Sequence, residues 1–176
     1  MDRPSHSLPA ATIYADGACE GNPGRGGWAA IVQCPAARFT LSGGVRRTTN
    51  NRMELQAVIA ALRSLGLTRF AVTIVSDSRY VVDAIDQGWL NRWVRAGFVK
   101  PNGERRDNAD LWSELHQLLP RHAVRMTWIR GHAGHPENEE CDRQAVSARG
   151  QANLPPDAGY EETHGAPWRK QAFPAA

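Results

Sequence analysis

The chain has 176 residues and a mass of 19.4 kDa, a size that suits one domain better than two. Its 41% hydrophobic and 22% charged residues exclude a fibrous or wholly disordered chain, and no run of about 18 apolar residues is available to cross a bilayer. Twenty-one Lys and Arg against eighteen Asp and Glu leave a charge of +3, which permits a polyanionic partner without naming one. The first ten residues hold no apolar block of the signal-peptide kind, so a cytoplasmic location is expected, with Cys19, Cys34 and Cys141 as reduced thiols.

In chain order, Thr12 to Asp16 is β-prone and runs into the breaker-rich stretch Gly21 to Gly27, which predicts a strand followed by a loop. Trp28 to Gln33 and Arg38 to Ser42 predict two more strands, turned at Pro35, completing an antiparallel meander. The period then changes. Leu55, Val58, Ile59, Leu62 and Leu65 fall at helical spacing, with Asn50 or Asn51 placed to cap and Gly66 near the end. Phe70 to Ser76 is nearly all apolar, as a parallel strand covered on both faces would be, and Asp77-Ser78 opens a short helix to Ile85.

From Trp89 to Asp107 the pattern is irregular and carries Arg92, Arg95, Lys100, Arg105 and Arg106, which predicts an exposed basic excursion. Leu111, Leu115, Leu118 and Leu119 predict a helix, Val124 to Ile129 a strand, and Pro136 the start of a final helix to about Arg149. The expected fold is α/β: a five-stranded mixed sheet, an antiparallel meander plus parallel strands, flanked by helices. Residues 1–10 read as a flexible extension, 11–150 as the main folded domain, and 151–176, rich in Pro, Gly and Ala without periodicity, as a tail of low order.

Four acids stand where elements meet: Asp16 in the first strand, Glu54 in the first turn of the long helix, Asp77 after the fourth strand and Asp142 in the last helix. Each has an ordinary reading by itself: a turn, a helix-dipole partner, an N-cap and a solvated helix charge. Together they can converge, because parallel first and fourth strands bring Asp16 and Asp77 to one sheet end, where the helix can present Glu54. A centre built only of oxygen ligands suits a hard cation such as Mg²⁺. A zinc site from His132, His135 and Cys141 would lack a standard spacing and a clear fourth ligand, and the Gly21 to Gly27 stretch lacks the Lys-Ser/Thr of a triphosphate-cradling loop.

Four strings, Tyr14-Ala15-Asp16-Gly17-Ala18-Cys19 with Gly21-Asn22-Pro23-Gly24, Thr48-Thr49-Asn50-Asn51-Arg52-Met53-Glu54-Leu55, Ser76-Asp77-Ser78-Arg79-Tyr80-Val81, and the run from Gly131 to Asp142, resemble bacterial type I ribonuclease H over roughly residues 10 to 150. The resemblance implies a monomeric endonuclease that hydrolyses the RNA strand of RNA/DNA hybrids, leaving 5′-phosphate and 3′-hydroxyl ends, with two Mg²⁺ ions (Mn²⁺ a possible substitute) held by Asp16, Glu54, Asp77 and Asp142. By the same resemblance Asp16 bridges the ions, Asp142 helps hold the water-activating ion, Glu54 and Asp77 hold the ion at the leaving oxygen, and His132 carries a proton or aids product release.

It also implies hybrid contacts from Asn22 and Asn51, a DNA-strand phosphate gripped by Arg47, Thr49 and Asn108, and a basic protrusion whose Trp89 and Trp93 stack on DNA sugars. The chain departs from the family pattern at Val94 and Ala96, where relatives carry cations, at Gln144 and Val146 in the last helix, and at Arg79, which replaces a common glutamine beside Asp77 and adds a cation to the groove.

Overall fold

The computed structural model describes residues 7–164. Strands β1 (Ala10–Gly21), β2 (Gly24–Cys34) and β3 (Ala37–Thr48) form the meander, followed by α1 (Asn50–Ser64), β4 (Ala71–Ser76), α2 (Arg79–Asp86), α3 (Trp89–Arg95), α4 (Ala109–Leu118), β5 (Ala123–Trp128), α5 (Pro136–Arg149) and α6 (Ala158–His164). The sheet order is β3-β2-β1-β4-β5, with β1 antiparallel to β2 and parallel to β4, and β4 parallel to β5. Among the described residues no helix is long and apolar enough to cross a membrane.

Strand alternation divides the core. Ile13, Ala15, Ala30 and Val32 pack with Leu55, Val58, Ile59 and Leu62 of α1 and with Trp112 and Leu115 of α4. The opposite face holds Ala18, Ala29 and Ile31 against Cys141 and Ala145 of α5, with Tyr14 at the margin. The stretch from Gly21 to Gly27 is mostly strand, not loop: only Asn22-Pro23 turn, Gly21 enters that turn at a φ of 78°, and Gly26 and Gly27 serve close packing. A Cβ on Gly27 would lie 2.1 Å from the Ala145 carbonyl oxygen, and one on Gly44 2.6 Å from that of Ala148, so these positions let α5 lie directly on β2 and β3. Ala145 and Ala148 supply the buried face of α5, while Val146 is exposed, which explains how this helix packs with Gln144 and Val146 in its sequence.

Three other expectations are corrected. Neither Asn50 nor Asn51 caps α1; Thr49 occupies the cap position without a side-chain bond, and Asn22 Oδ1 accepts the Asn50 N–H from across the turn (3.2 Å). The basic excursion is exposed at Arg92, Arg95 and Arg105 as expected but is not irregular throughout, because α3 runs through it, buries Leu90 and places the Trp93 ring edge-on to Trp112 at 5.2 Å. The expectation of low order after Gly150 does not hold for residues 151–164. This segment returns across β3, where Pro155 accepts the Arg46 N–H (2.8 Å), buries Asp157 and Tyr160, and forms α6. The expectations for residues 1–6 and 165–176 lie outside the described residues.

Candidate active site

Register brings the first two acids together. Tyr14 of β1 pairs with Val75 of β4, so two residues on, Asp16 and Asp77 emerge side by side where the parallel strands end. Glu54 joins them because Gly17 removes the obstacle: a Cβ there would meet the Glu54 backbone nitrogen at 2.6 Å. Gly17 is therefore a mid-strand close approach rather than a turn residue. α2 begins behind Ser78, whose N–H is taken by Ser76 Oγ (3.1 Å), so the Asp77 carboxylate is not spent on a cap.

Asp16, Glu54 and Asp77 each offer an oxygen within 4.8 Å of the others, and among the described residues they form the one such group of three or more potential metal ligands. Asp142, half-buried on α5, lies outside that group, yet its charge reaches Asp16. Burial first, then Asp77 and Asp142, push Asp16 up to about 7, partly opposed by the Gly17 N–H bonded to its Oδ1 (2.8 Å). Burial first, then Asp16 and Asp77, push Glu54 well above the usual carboxylate range. Its Oε1 accepts from Asn50 Nδ2 (3.3 Å), whereas its buried Oε2 has no hydrogen-bond partner. A divalent cation fits this donor set, since it would satisfy the orphaned Oε2 and relieve the mutual repulsion.

The loop before α5 borders the acids directly. A Cβ on Gly131 would lie 2.4 Å from Asp77 Oδ2, and the next residue, His132, is exposed at a φ of 52°. Trp128 Nε1 donates to the Asp77 carbonyl (3.0 Å), and the Arg79 guanidinium lies 3.7 Å above the Trp128 ring. His135 is exposed, while Cys141 is buried on the other face with Sγ donating to the Tyr14 carbonyl (3.4 Å) and its thiol pushed up to about 12, chiefly by burial. This thiol is a packing group rather than a ligand.

The remaining candidates spread around this centre. Asn22 and Asn51 are exposed at the β1–β2 turn and the first turn of α1. Thr49 lies at the N-terminus of α1 and Asn108 at that of α4, in the left-handed conformation (φ 58°), with Nδ2 donating to Tyr80 Oη (2.9 Å). Arg47 is exposed on β3, its guanidinium 5.9 Å from the Tyr160 ring centre. Trp89 and Trp93 are both half-buried, 6.4 Å apart, and Arg106 covers the Trp93 ring at 4.4 Å.

Sequence reasoning missed Arg52, which is buried and paired with Asp110 and Asp157. A signal existed: Arg52 stands three residues before Leu55 and seven before Ile59, on the apolar stripe of α1, where a guanidinium requires carboxylate partners.

A mixed sheet with carboxylates converging at its parallel strand ends could hold a hard cation, as sites that handle phosphate esters do. The RNase H family model matches residues 9–149. The chain is 50% identical over 149 residues to the ribonuclease H of Rippkaea orientalis, covering 85% of this chain and 91% of that one. It is 46% identical over 150 residues to the ribonuclease H of Trichodesmium erythraeum, covering 85% and 95%. Among solved structures it resembles LC9-RNase H1, described as a type 1 RNase H with the type 2 active-site motif, at 37% identity and a TM-score of 0.73 over 94% of this chain and 84% of that one. The chain belongs to the RNase H family.

Proposed function

We propose that this protein is a Mg²⁺-dependent endonuclease that hydrolyses the RNA strand of RNA/DNA hybrids, with Asp16, Glu54, Asp77 and Asp142 as the ligands of two ions. The observation that carries the reading is the three-carboxylate cluster with its unpartnered Glu54 oxygen, in a chain of this family. Bound divalent cations would activate water and neutralise charge on the leaving 3′ oxygen. In this reading Asp16 is the shared ligand, which is supported by the charges of both Asp77 and Asp142 reaching it. Asn22 and Asn51 present amides to the RNA minor groove, where 2′-hydroxyls distinguish RNA from DNA, while Arg47, Thr49 and Asn108 grip a DNA-strand phosphate. Arg79, on its Trp128 ledge beside Asp77, adds a cation at the groove.

The test is cleavage of a labelled hybrid in Mg²⁺, beside matching duplex RNA, duplex DNA and a chelator control. Cutting restricted to the hybrid RNA and dependent on the metal is expected; binding without cleavage in Mg²⁺ would leave a hybrid-binding module instead. Mn²⁺ in place of Mg²⁺ tests the ion.

His132 flanks the site on a loop whose Gly131 touches Asp77, a position from which an imidazole can exchange protons between solvent and the reacting groups. His132→Ala is expected to slow turnover by about 10- to 100-fold without abolishing it, the range of general acid–base help. Wild-type turnover would make the histidine a bystander.

In the basic excursion, Lys100 is paired with Asp107 (3.2 Å) and Arg106 supports Trp93, which leaves exposed Arg92, Arg95 and Arg105 as the better backbone contacts. Changing these three to Ala should weaken hybrid binding and lower its salt slope by up to about one unit per lost phosphate contact. An unchanged slope would remove this element from the interface.

A further inference from the structure

The Arg52 guanidinium uses every donor it has. Nε donates to Asp157 Oδ2 (2.7 Å), Nη2 to Asp157 Oδ1 (2.8 Å) and Asp110 Oδ2 (2.7 Å), and Nη1 to Asp110 Oδ1 (2.9 Å) and Asn108 Oδ1 (3.5 Å). Five N–H groups make five bonds, so none remains for a ligand. The group is also buried between two carboxylates and has no path to substrate. The group joins three places: Asp110 and Asn108 from the start of α4, Asp157 from the C-terminal segment, and Arg52 itself from the first turn of α1.

Those places are where the proposed phosphate contacts sit. Thr49 stands at the N-terminus of α1, Asn108 at that of α4, and Arg47 at the end of β3. Asp157 also reaches this strand end, accepting the Thr48 hydroxyl (2.6 Å), while its Oδ1 takes the Tyr160 N–H (3.2 Å). A phosphate gripped by donors on two helices 59 residues apart in sequence needs those helix ends held at a fixed separation. Arg52 spans that gap. It also orients the Asn108 amide: with Oδ1 toward Arg52 and one Nδ2 hydrogen on Tyr80 Oη, the second Nδ2 hydrogen remains as a donor.

We propose that Arg52 is a positioning residue for the DNA-strand phosphate contact, set in place by Asp110 and, from the C-terminal segment, by Asp157. The proposal rests on the assignment of Arg47, Thr49 and Asn108 to that phosphate. Residues 155–164 are thereby part of the substrate-binding apparatus without touching substrate. Asp157→Asn puts an amide NH2 where Arg52 needs one of its two acceptor oxygens and loosens the hold on the guanidinium; Asp110→Asn, at a more exposed carboxylate, does the same from the other side.

The experiment is hybrid affinity in chelator, with single neutral methylphosphonates walked along the DNA strand, for wild type, Asp157→Asn and Asp110→Asn in the full chain well below their melting temperatures. Steady-state cleavage of the unmodified hybrid accompanies it. In wild type one DNA position should cost about 10-fold in affinity when neutralised. In the variants that penalty should shrink to under about 2-fold, with KM raised several-fold and kcat nearly kept, since the acids lie elsewhere. A merely structural role would lower the melting temperature and leave the position-specific penalty intact; that result in a folded variant overturns the proposal. If Asp157→Asn does not fold, Asp110→Asn decides on the same criterion. A wild-type protein indifferent to every DNA-strand methylphosphonate would instead refute the underlying phosphate assignment, and this inference with it.

Discussion

Asp16→Asn is expected to abolish Mg²⁺-dependent cleavage, by about 10³-fold or more, while leaving the protein folded and able to bind hybrid. The substitution keeps size, shape and the oxygen that accepts the Gly17 N–H, and removes the charge placed between Asp77 and Asp142. Losing a carboxylate shared by two ions forfeits several kcal/mol of transition-state stabilisation, and each 1.36 kcal/mol is about tenfold in rate. Hybrid affinity in chelator should hold or rise slightly, because one negative charge facing the substrate backbone is gone. A folded variant that cuts near the wild-type rate would sink the assignment of Asp16 as shared ligand.

The same variant should raise the melting temperature of the metal-free protein at pH 8. The sign follows from the direction of the shift. A carboxyl at 3.8 in the unfolded chain and about 7 in the folded one favours folding fully when both states are protonated, below about pH 4, and loses that contribution as pH climbs through 7. Above pH 7 the folded protein carries an ionised Asp16 at a cost of up to about 4 kcal/mol, which the amide avoids. The gain should vanish near pH 4, and saturating Mg²⁺ should narrow it at pH 8 by stabilising the wild type through binding. A melting-temperature difference that is flat with pH would show that the crowded carboxylates are not its source.

Most of the scaffold that presents Asp16 could be read from hydrophobic period alone. The stripe Leu55, Val58, Ile59, Leu62 and the apolar run before Asp77 place α1 and β4 where they stand, because those residues are buried against one another. What periodicity could not supply was the role of the glycines. Gly17, Gly27 and Gly44 look like turn signals in a string, and each is instead a point where a helix backbone meets a strand, a distinction only the packed structure can make. The meeting of Asp16 and Asp77 needed only the topology, whereas Glu54 also needed the close approach at Gly17, and Asp142 stays outside their 4.8 Å group.

The C-terminal segment was illegible for a different reason. Leu154, Asp157 and Tyr160 form no period, since each docks individually: Leu154 beside Gly44, Asp157 on Arg52 and Thr48, and Tyr160 in the interior. Their partner Arg52 was the readable clue, an arginine on an apolar stripe whose two acids had to come from elsewhere in the chain.

Truncation after Asn153 is accordingly expected to destabilise the protein by about 2–4 kcal/mol, a fall in melting temperature of about 5–15 °C for a domain of this size. The cut deletes the carboxylate that takes two of the Arg52 donors and the Thr48 hydroxyl, uncovers Arg52 and Thr48, removes the buried Tyr160 ring, and breaks the paired bonds of Arg46 to Glu161 (2.9 and 2.6 Å). The Arg46 pair is solvent-exposed and contributes little. The dominant loss is the buried ion pair, for which removal of one partner typically costs about 3–5 kcal/mol. Asp110 still accepts from Arg52 and water enters beside it, which brings the expected value below that range. Thermal melts of the full chain, the truncation and full-length Asp157→Asn separate the contributions: the point variant should account for more than half of the loss, because it keeps Tyr160 and α6 but removes the negative charge and one of the two acceptor oxygens. Equal melting temperatures for the full chain and the truncation would mean that Arg52 is held by Asp110 alone and that the segment beyond Asn153 adds nothing to the fold.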